Sequence, residues 1–261
     1  MKSIIKSILQ SMGLGSVATK LHYALTAFNP NTTHPHRLER RFHEQFFGKG
    51  DLCFDVGANV GHKVAMFLEI GAKVVAIEPQ SICVNQLKQK FTNNSSVNII
   101  HKGLSDKVGK IQIAICETDN RLSTFNDSYT KDSIFAKQGI TWEQFEEVEI
   151  TTLDNLITEY GMPKYCKIDV EGYEYQVLKG LTKPIPVVSF EFSAELLADV
   201  KQCGERLLQI ANYEFNISYG EAVHLASQQW FSLQEVIIIL EKEKANKTYH
   251  VWGDIFVKLK S

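Results

Sequence analysis

The sequence predicts an α/β fold, with a mostly parallel central sheet and helices on both faces. Three observations carry that reading. Short apolar runs at 52–56, 73–79 and 96–101 alternate with helical patterns at 61–71 and 81–91. That β-α-β-α-β order becomes parallel strands joined by right-handed crossovers. The run "KVVAIEP" at 73–79 is apolar almost throughout, as a strand covered on both faces requires. Finally, "FDVGANVGH" at 54–62 places glycines where the first strand hands over to the first helix.

The elements follow in order. In "MKSIIKSILQSMGLG", Ile4, Ile5, Ile8, Leu9 and Met12 fall at helical spacing, while Lys6 and Gln10 interrupt the run. This predicts a short amphipathic helix rather than a signal peptide. It packs on its own domain, or alternatively makes peripheral membrane contact. No stretch is long enough to span a bilayer. "NPNTTHPH" at 29–36 reads as a loop. The expected division is a helical N-terminal extension over 1–48 and one domain over 49–261.

Within the domain, Val64, Phe67 and Leu68 share a helix face that Gly71 stops, and Val84, Leu87 and Phe91 share the next, with Ser81 as its cap. "GKIQIAIC" (109–116) and "EVEITTLD" (147–154) then alternate around a polar stretch holding Arg121, Tyr129 and Trp142. They read as a β-excursion after the third strand, with a loop that covers a ligand. "YCKIDV" (165–170), a helix over 172–180 and "PVVSFEF" (186–192) resume the rhythm. A helix starting at Ser193 and Glu195 carries Leu196, Leu197, Val200, Leu207 and Leu208, with a break expected at Gly204. "YEFNI" (213–217) is a strand, "SLQE" (232–235) has capping-box spacing, and "WGDIFVKL" (252–259) closes the chain near a sheet edge.

Composition excludes several classes. The 261 residues are 44% hydrophobic, enough for a full core in one domain with extensions. A net charge of −2 argues against a nucleic-acid partner, and the basic run at 34–43 reads as a solvated helix face. Cys53, Cys83, Cys116, Cys166 and Cys203 are widely spaced with no CxxC pair, so neither a zinc site nor a disulfide framework is expected. A reducing, cytoplasmic setting fits. The histidines form no ligand motif, and His62, beside the glycines, is expected to face solvent.

A strand, a glycine turn and a helix together hold a nucleotide-like cofactor at the sheet's C-terminal edge. The dinucleotide pattern G-x-G-x-x-G fails, because its three places hold Gly57, Asn59 and His62. What stands is Asp55-x-Gly57-x-Asn59-x-Gly61. This resembles motif I of class I S-adenosylmethionine (SAM) methyltransferases, with asparagine, the residue after glycine most tolerant of positive φ, in the middle place. SAM carries an ammonium, a carboxylate and a sulfonium but no phosphate. Asp55 would repel a pyrophosphate and attract those cations. Glu78, ending the second strand, is placed to accept from both ribose hydroxyls.

With "FDVGANVG", "AIEP", "GLSD", "TTLDNLI", "KIDVEGYEYQVLKG" and "VVSFEF" in order, the chain resembles the FkbM-type methyltransferases from about residue 50 onward. The resemblance implies a Rossmann-like class I fold and SAM-dependent O-methylation of a hydroxyl on a saccharide, glycan or secondary metabolite. Asp55, Gly57, Asn59 and Gly61 would line the methionine part of SAM, Glu78 would take the ribose, and Leu104 and Ser105 would lie by the adenine. For Ser105 a simple β-turn is an equal reading.

Moving a methyl to an aliphatic hydroxyl needs positioning and help with the proton, from a base or a divalent metal. In "KIDVEG", Lys167, Asp169 and Glu171 alternate to one side of the strand, and Glu191 ends the next strand at a similar level. Charges on a central strand must be paired, so Lys167 is expected against a carboxylate. Asp169 is the candidate base or metal ligand, with Glu171 and Glu191 assisting. The bland alternative is a buried structural network. Rival functions are a nicotinamide-dependent oxidoreductase and a non-catalytic binding module on the same fold.

Overall fold

The computed structural model describes residues 33–246 and 250–260. The helix expected over the first twelve residues lies outside them. A compact unit runs from Phe42 to Ser261. Ahead of it, the helix Thr33–His43 begins inside the segment expected to be a loop. Pro35 falls in its first turn, where a missing N–H costs nothing.

Ten strands are present among the described residues: β1 Leu52–Val56, β2 Lys73–Ile77, β3 Val97–Ile100, β4 Gly103–Leu104, β5 Gly109–Ile115, β6 Gln144–Thr151, β7 Tyr165–Ile168, β8 Val187–Ser193, β9 Tyr213–Tyr219 and β10 Trp252–Leu259. Seven form the central sheet in the order β3-β2-β1-β7-β8-β10-β9. The pairs from β3 to β8 are parallel, and only β10 runs against its neighbours. The order reverses between β1 and β7, the topological switch point at which such sheets open a crevice. The excursion is a separate sheet, β4-β6-β5.

Both faces of the central sheet are covered. Phe54, Val56, Ile168, Val188 and Phe190 pack into one apolar layer with helices Leu153–Tyr160, Glu174–Lys179, Leu197–Ile210 and Leu233–Asn246. Cys53, Val74, Ala76 and Tyr165 pack on the other side with helix His62–Ile70. There Phe42, Phe46, Phe47 and Phe67 close around Tyr165 and Phe256, so residues ahead of position 49 are part of this core. Tyr165 is wholly buried, and its hydroxyl is satisfied by Ser189 at 2.7 Å. No helix among the described residues is long and apolar enough to cross a membrane. The five cysteines are buried and free.

Local signals hold in most places. Gly71 ends helix His62–Ile70 at φ 95°, and Ser232 and Glu235 exchange the two hydrogen bonds of a capping box. Two expectations are corrected. Gln80, not Ser81, precedes helix Ser81–Lys90, and the Ser81 hydroxyl donates instead to Glu146 of the excursion. Helix Leu197–Ile210 passes unbroken through Gly204, whose missing side chain seats Leu233: a Cβ there would stand 2.4 Å from Leu233 Cδ1.

Candidate active site

A cavity of about 650 Å³ opens at the rim where β1, β2, β7 and β8 end. That is within the roughly 300–1,000 Å³ range of small-molecule sites. Asp55, Gly57, Asn59, Glu78, Leu104, Asp169, Glu171 and Glu191 all line it. Gly61 lies just behind, at φ 76°, opening helix His62–Ile70. Ser105 is off the cavity wall, and its hydroxyl faces Asp106 and Tyr173. His62 is exposed and lines the cavity.

The glycine turn has a steric logic. Gly57 has φ 84°, and a Cβ there would lie 1.8 Å from the Asp169 carbonyl oxygen. The turn after β1 must therefore pass bare against the end of β7. Gly57→Ala is expected to destabilise the protein by about 3 kcal/mol or more, since neither backbone can retreat. Urea denaturation checks this, and a change under 1 kcal/mol would contradict the packing described. Asn59 takes the left-handed conformation at φ 47°. Its N–H donates to Glu78 Oε2 at 2.8 Å, and Gln80 N donates to Glu78 Oε1 at 2.9 Å.

These contacts set the charges. Burial pushes the Asp55 carboxyl up to about 6 against the pull of Lys167, and its Oδ2 is buried without a hydrogen bond. Burial likewise pushes Glu78 up to about 7, although two backbone amides favour its anion. For both groups, burial makes the charged form costly.

Across the cavity, Lys167 is buried and donates to Asp169 Oδ2 at 2.5 Å. Burial opposes the ammonium, but Asp169, Asp254 and Asp55 together hold it above its ordinary value. Burial also opposes the Asp169 charge, yet Lys167 holds that carboxyl below its usual range. Glu171 is pushed up to about 8 by burial and then by Asp169, and Glu191 is raised well above its ordinary value by burial, Asp169 and Glu171. One oxygen from each of Asp169, Glu171 and Glu191 lies within 4.8 Å of the others. The three candidate acids therefore converge, with one anion paired to lysine and two carboxyls inclined to keep a proton.

Glu171 arrives by a route the alternation did not describe. β7 ends at Ile168, and Glu171 sits in a left-handed turn, φ 54°, followed by Gly172 at φ 84°. The excursion clamps that turn. Thr124 Oγ1 donates to the Glu171 carbonyl at 2.8 Å, Asn126 Nδ2 to the Gly172 carbonyl at 2.7 Å, and the Tyr129 hydroxyl to the Glu171 carboxylate. Trp142 anchors the excursion through Leu122, while Arg121 lines the cavity and pairs with Asp119.

Three contributors escaped the sequence reading. Glu174 accepts from Val170 N and Gly172 N and so fixes the turn. Gln80 and Asn120 join the loop after β2 to the excursion through Gln80 Nε2 and the Asn120 carbonyl at 2.9 Å. Only the spacing Glu78-x-Gln80 could have hinted at Gln80; Asn120 arrives from 40 residues away.

A seven-stranded sheet that reverses beside a glycine turn, with acids ending β1 and β2 and one antiparallel strand near its far edge, is the arrangement of the class I methyltransferase fold. Residues 55–249 match the family model described as "Methyltransferase FkbM domain", well over half of the chain, and the chain belongs to that family. It is 27% identical over 146 residues to hexuronic acid methyltransferase AglP of Haloferax volcanii, a match covering 54% of each protein, so it spans about half the length of that curated relative. Among solved structures it resembles precorrin-6y C5,15-methyltransferase from Geobacter metallireducens GS-15, with 8% identity over 86% of each chain and a TM-score of 0.43. It also resembles a TehB-like SAM-dependent methyltransferase from Corynebacterium glutamicum, with 11% identity over 94% of this chain and 97% of that chain and a TM-score of 0.43.

Proposed function

We propose that this protein transfers a methyl group from SAM to a hydroxyl of a saccharide or glycan-like acceptor. The observation that carries this is the single cavity with Asp55 and Glu78 on one side and the Asp169, Glu171 and Glu191 carboxyls on the other. SAM fits the first side on chemistry alone: the unpartnered Asp55 Oδ2 suits an ammonium, and each Glu78 oxygen keeps a lone pair for a ribose hydroxyl. When bound, SAM supplies a methyl group made electrophilic by its sulfonium.

The chain's own residues do the rest. Gly57 and Asn59 shape the backbone that holds the donor in place. Asp169, kept ionised by Lys167, accepts the acceptor hydroxyl's hydrogen bond and directs its lone pair at the methyl. The hydroxyl proton passes to Asp169 as the oxygen–methyl bond forms and the sulfur–methyl bond breaks, while Glu171 and Glu191, inclined to keep their own protons, serve as hydrogen-bond donors beside it. The same three carboxylates are a hard, all-oxygen donor set, and would hold a divalent cation that polarises the hydroxyl.

The test is transfer of labelled methyl from SAM into glycan and metabolite pools, followed by mass location of the label. A hydroxyl-bearing saccharide product is expected. Label appearing only on nitrogen or carbon would overturn the acceptor class. Turnover that survives exhaustive chelation would remove the cation.

A further inference from the structure

Resting on the methyl-transfer reading, we propose that the β8–β10 end of the cavity is the acceptor subsite, with the Trp252 indole as a platform for the face of a pyranose ring. Along the rim the sheet presents β2, β1, β7, β8 and then β10. Glu78 and Asp55 occupy the first two positions, and Asp169 and Glu191 the next two. Because β10 runs antiparallel, its first residue, not its last, reaches this rim: Trp252 pairs with Ser193, two residues beyond Glu191. With a donor held over β1 and β2 and a hydroxyl held at Asp169, the cavity continues over β8 and β10, where the rest of the acceptor has room to lie. Trp252 stands two strand spacings across from Asp169 and two residues further along, roughly 12 Å away.

What waits there has the chemistry of a sugar site. Trp252 lines the cavity and keeps 37% of its surface exposed, a large aromatic left open at a polar rim. The ring is held as well as open. Gly220 packs beside it, and a Cβ there would stand 3.8 Å from Cε2 and Cζ2. An indole offers a flat apolar face to the axial C–H groups of a pyranose. Around it are groups for hydroxyls. His250 lines the same cavity, and its buried Nδ1 has no hydrogen bond, the Glu195 carboxylate standing off at 3.6 Å. An apolar face flanked by an unsatisfied imidazole nitrogen and a carboxylate matches a ring that is apolar on its faces and polar around its edge.

The test reads two ligands on the same samples. S-adenosylhomocysteine (SAH) binding is measured by calorimetry. Saturation-transfer NMR then follows the methyl pyranosides of glucose, galactose, mannose and xylose on the SAH-loaded protein. Wild-type protein is expected to transfer saturation to the ring C–H protons of at least one pyranoside. Trp252→Ala is expected to weaken that pyranoside about tenfold, the scale of one aromatic contact, while SAH affinity stays within about twofold. Trp252→Phe, which keeps an aromatic face, should retain most of the signal. Undiminished transfer in Trp252→Ala, or no transfer to any pyranoside in SAH-loaded wild type, overturns the platform and leaves the methyl-transfer reading standing. Wild-type protein that fails to bind SAH overturns both.

Discussion

Asp169→Asn is expected to lower turnover by about 10²–10⁴-fold, the contribution of a positioned proton acceptor, with SAH affinity kept within about threefold. The amide preserves the shape of the side chain. Lys167 loses its closest anion but keeps Asp254 and Asp55 as charged neighbours, so the buried ammonium is not abandoned and the fold should survive. What disappears is the one carboxylate in the cluster whose charge is secured at neutral pH. A second effect separates chemistry from structure. Asp169 is the leading charged neighbour that raises both Glu171 and Glu191. Without it, both should ionise at lower pH, and the residual rate should shift its pH profile to the acid side. Single-turnover transfer from labelled SAM, alongside SAH calorimetry, reads both effects. Turnover within about tenfold of wild type would remove Asp169 from the mechanism.

The sequence made some of this visible, because some of it is local. The Asp55, Gly57, Asn59 and Gly61 spacing is a property of one turn, and positive φ at Gly57, Asn59 and Gly61 is what those residue types permit. The pairing of Lys167 with a carboxylate followed from the cost of burying a charge on a central strand. Glu171 was legible as a candidate, but not its path: the left-handed turn that delivers it is held by Thr124, Asn126 and Glu174, two of them far along the chain. Trp252 and His250 were silent because nothing local announces that the last strand runs backwards. Gly204 misled for the opposite reason. Its helix penalty is local, while its compensation, a seat for Leu233, is tertiary.

Between pH 5 and 7, apo-protein stability and SAH affinity are expected to move in opposite directions. Asp55, Glu78 and Glu174 are pushed up from ordinary values of 3.8, 4.5 and 4.5 to about 6, 7 and 7, and Glu171 from 4.5 to about 8. Burial is the leading cause for all four. In the unfolded chain these groups have largely lost their protons by pH 5; in the folded chain they still hold them. The native state therefore binds more protons than the unfolded state across this window, and stability falls as pH rises through it. Asp169, whose carboxyl is depressed, works the other way, but its contribution is lost only below the window, as pH falls through its folded value. The apo melting temperature is expected to drop by about 5 °C or more from pH 5 to pH 7, a scale set by a few kcal/mol in a domain of this size. Binding reverses the preference at one of these groups. On the proposed function the SAH ammonium faces Asp55 and stabilises its ionised form, so affinity should rise with pH up to about 6, by as much as about tenfold per unit, and then level off. Asp55→Asn should flatten that rise and remove part of the melting slope together, because a single carboxyl produces both. Parallel melting and calorimetry at three pH values make the comparison. An SAH affinity that is flat from pH 5 to pH 7 in the wild type would mean that Asp55 does not face the ammonium.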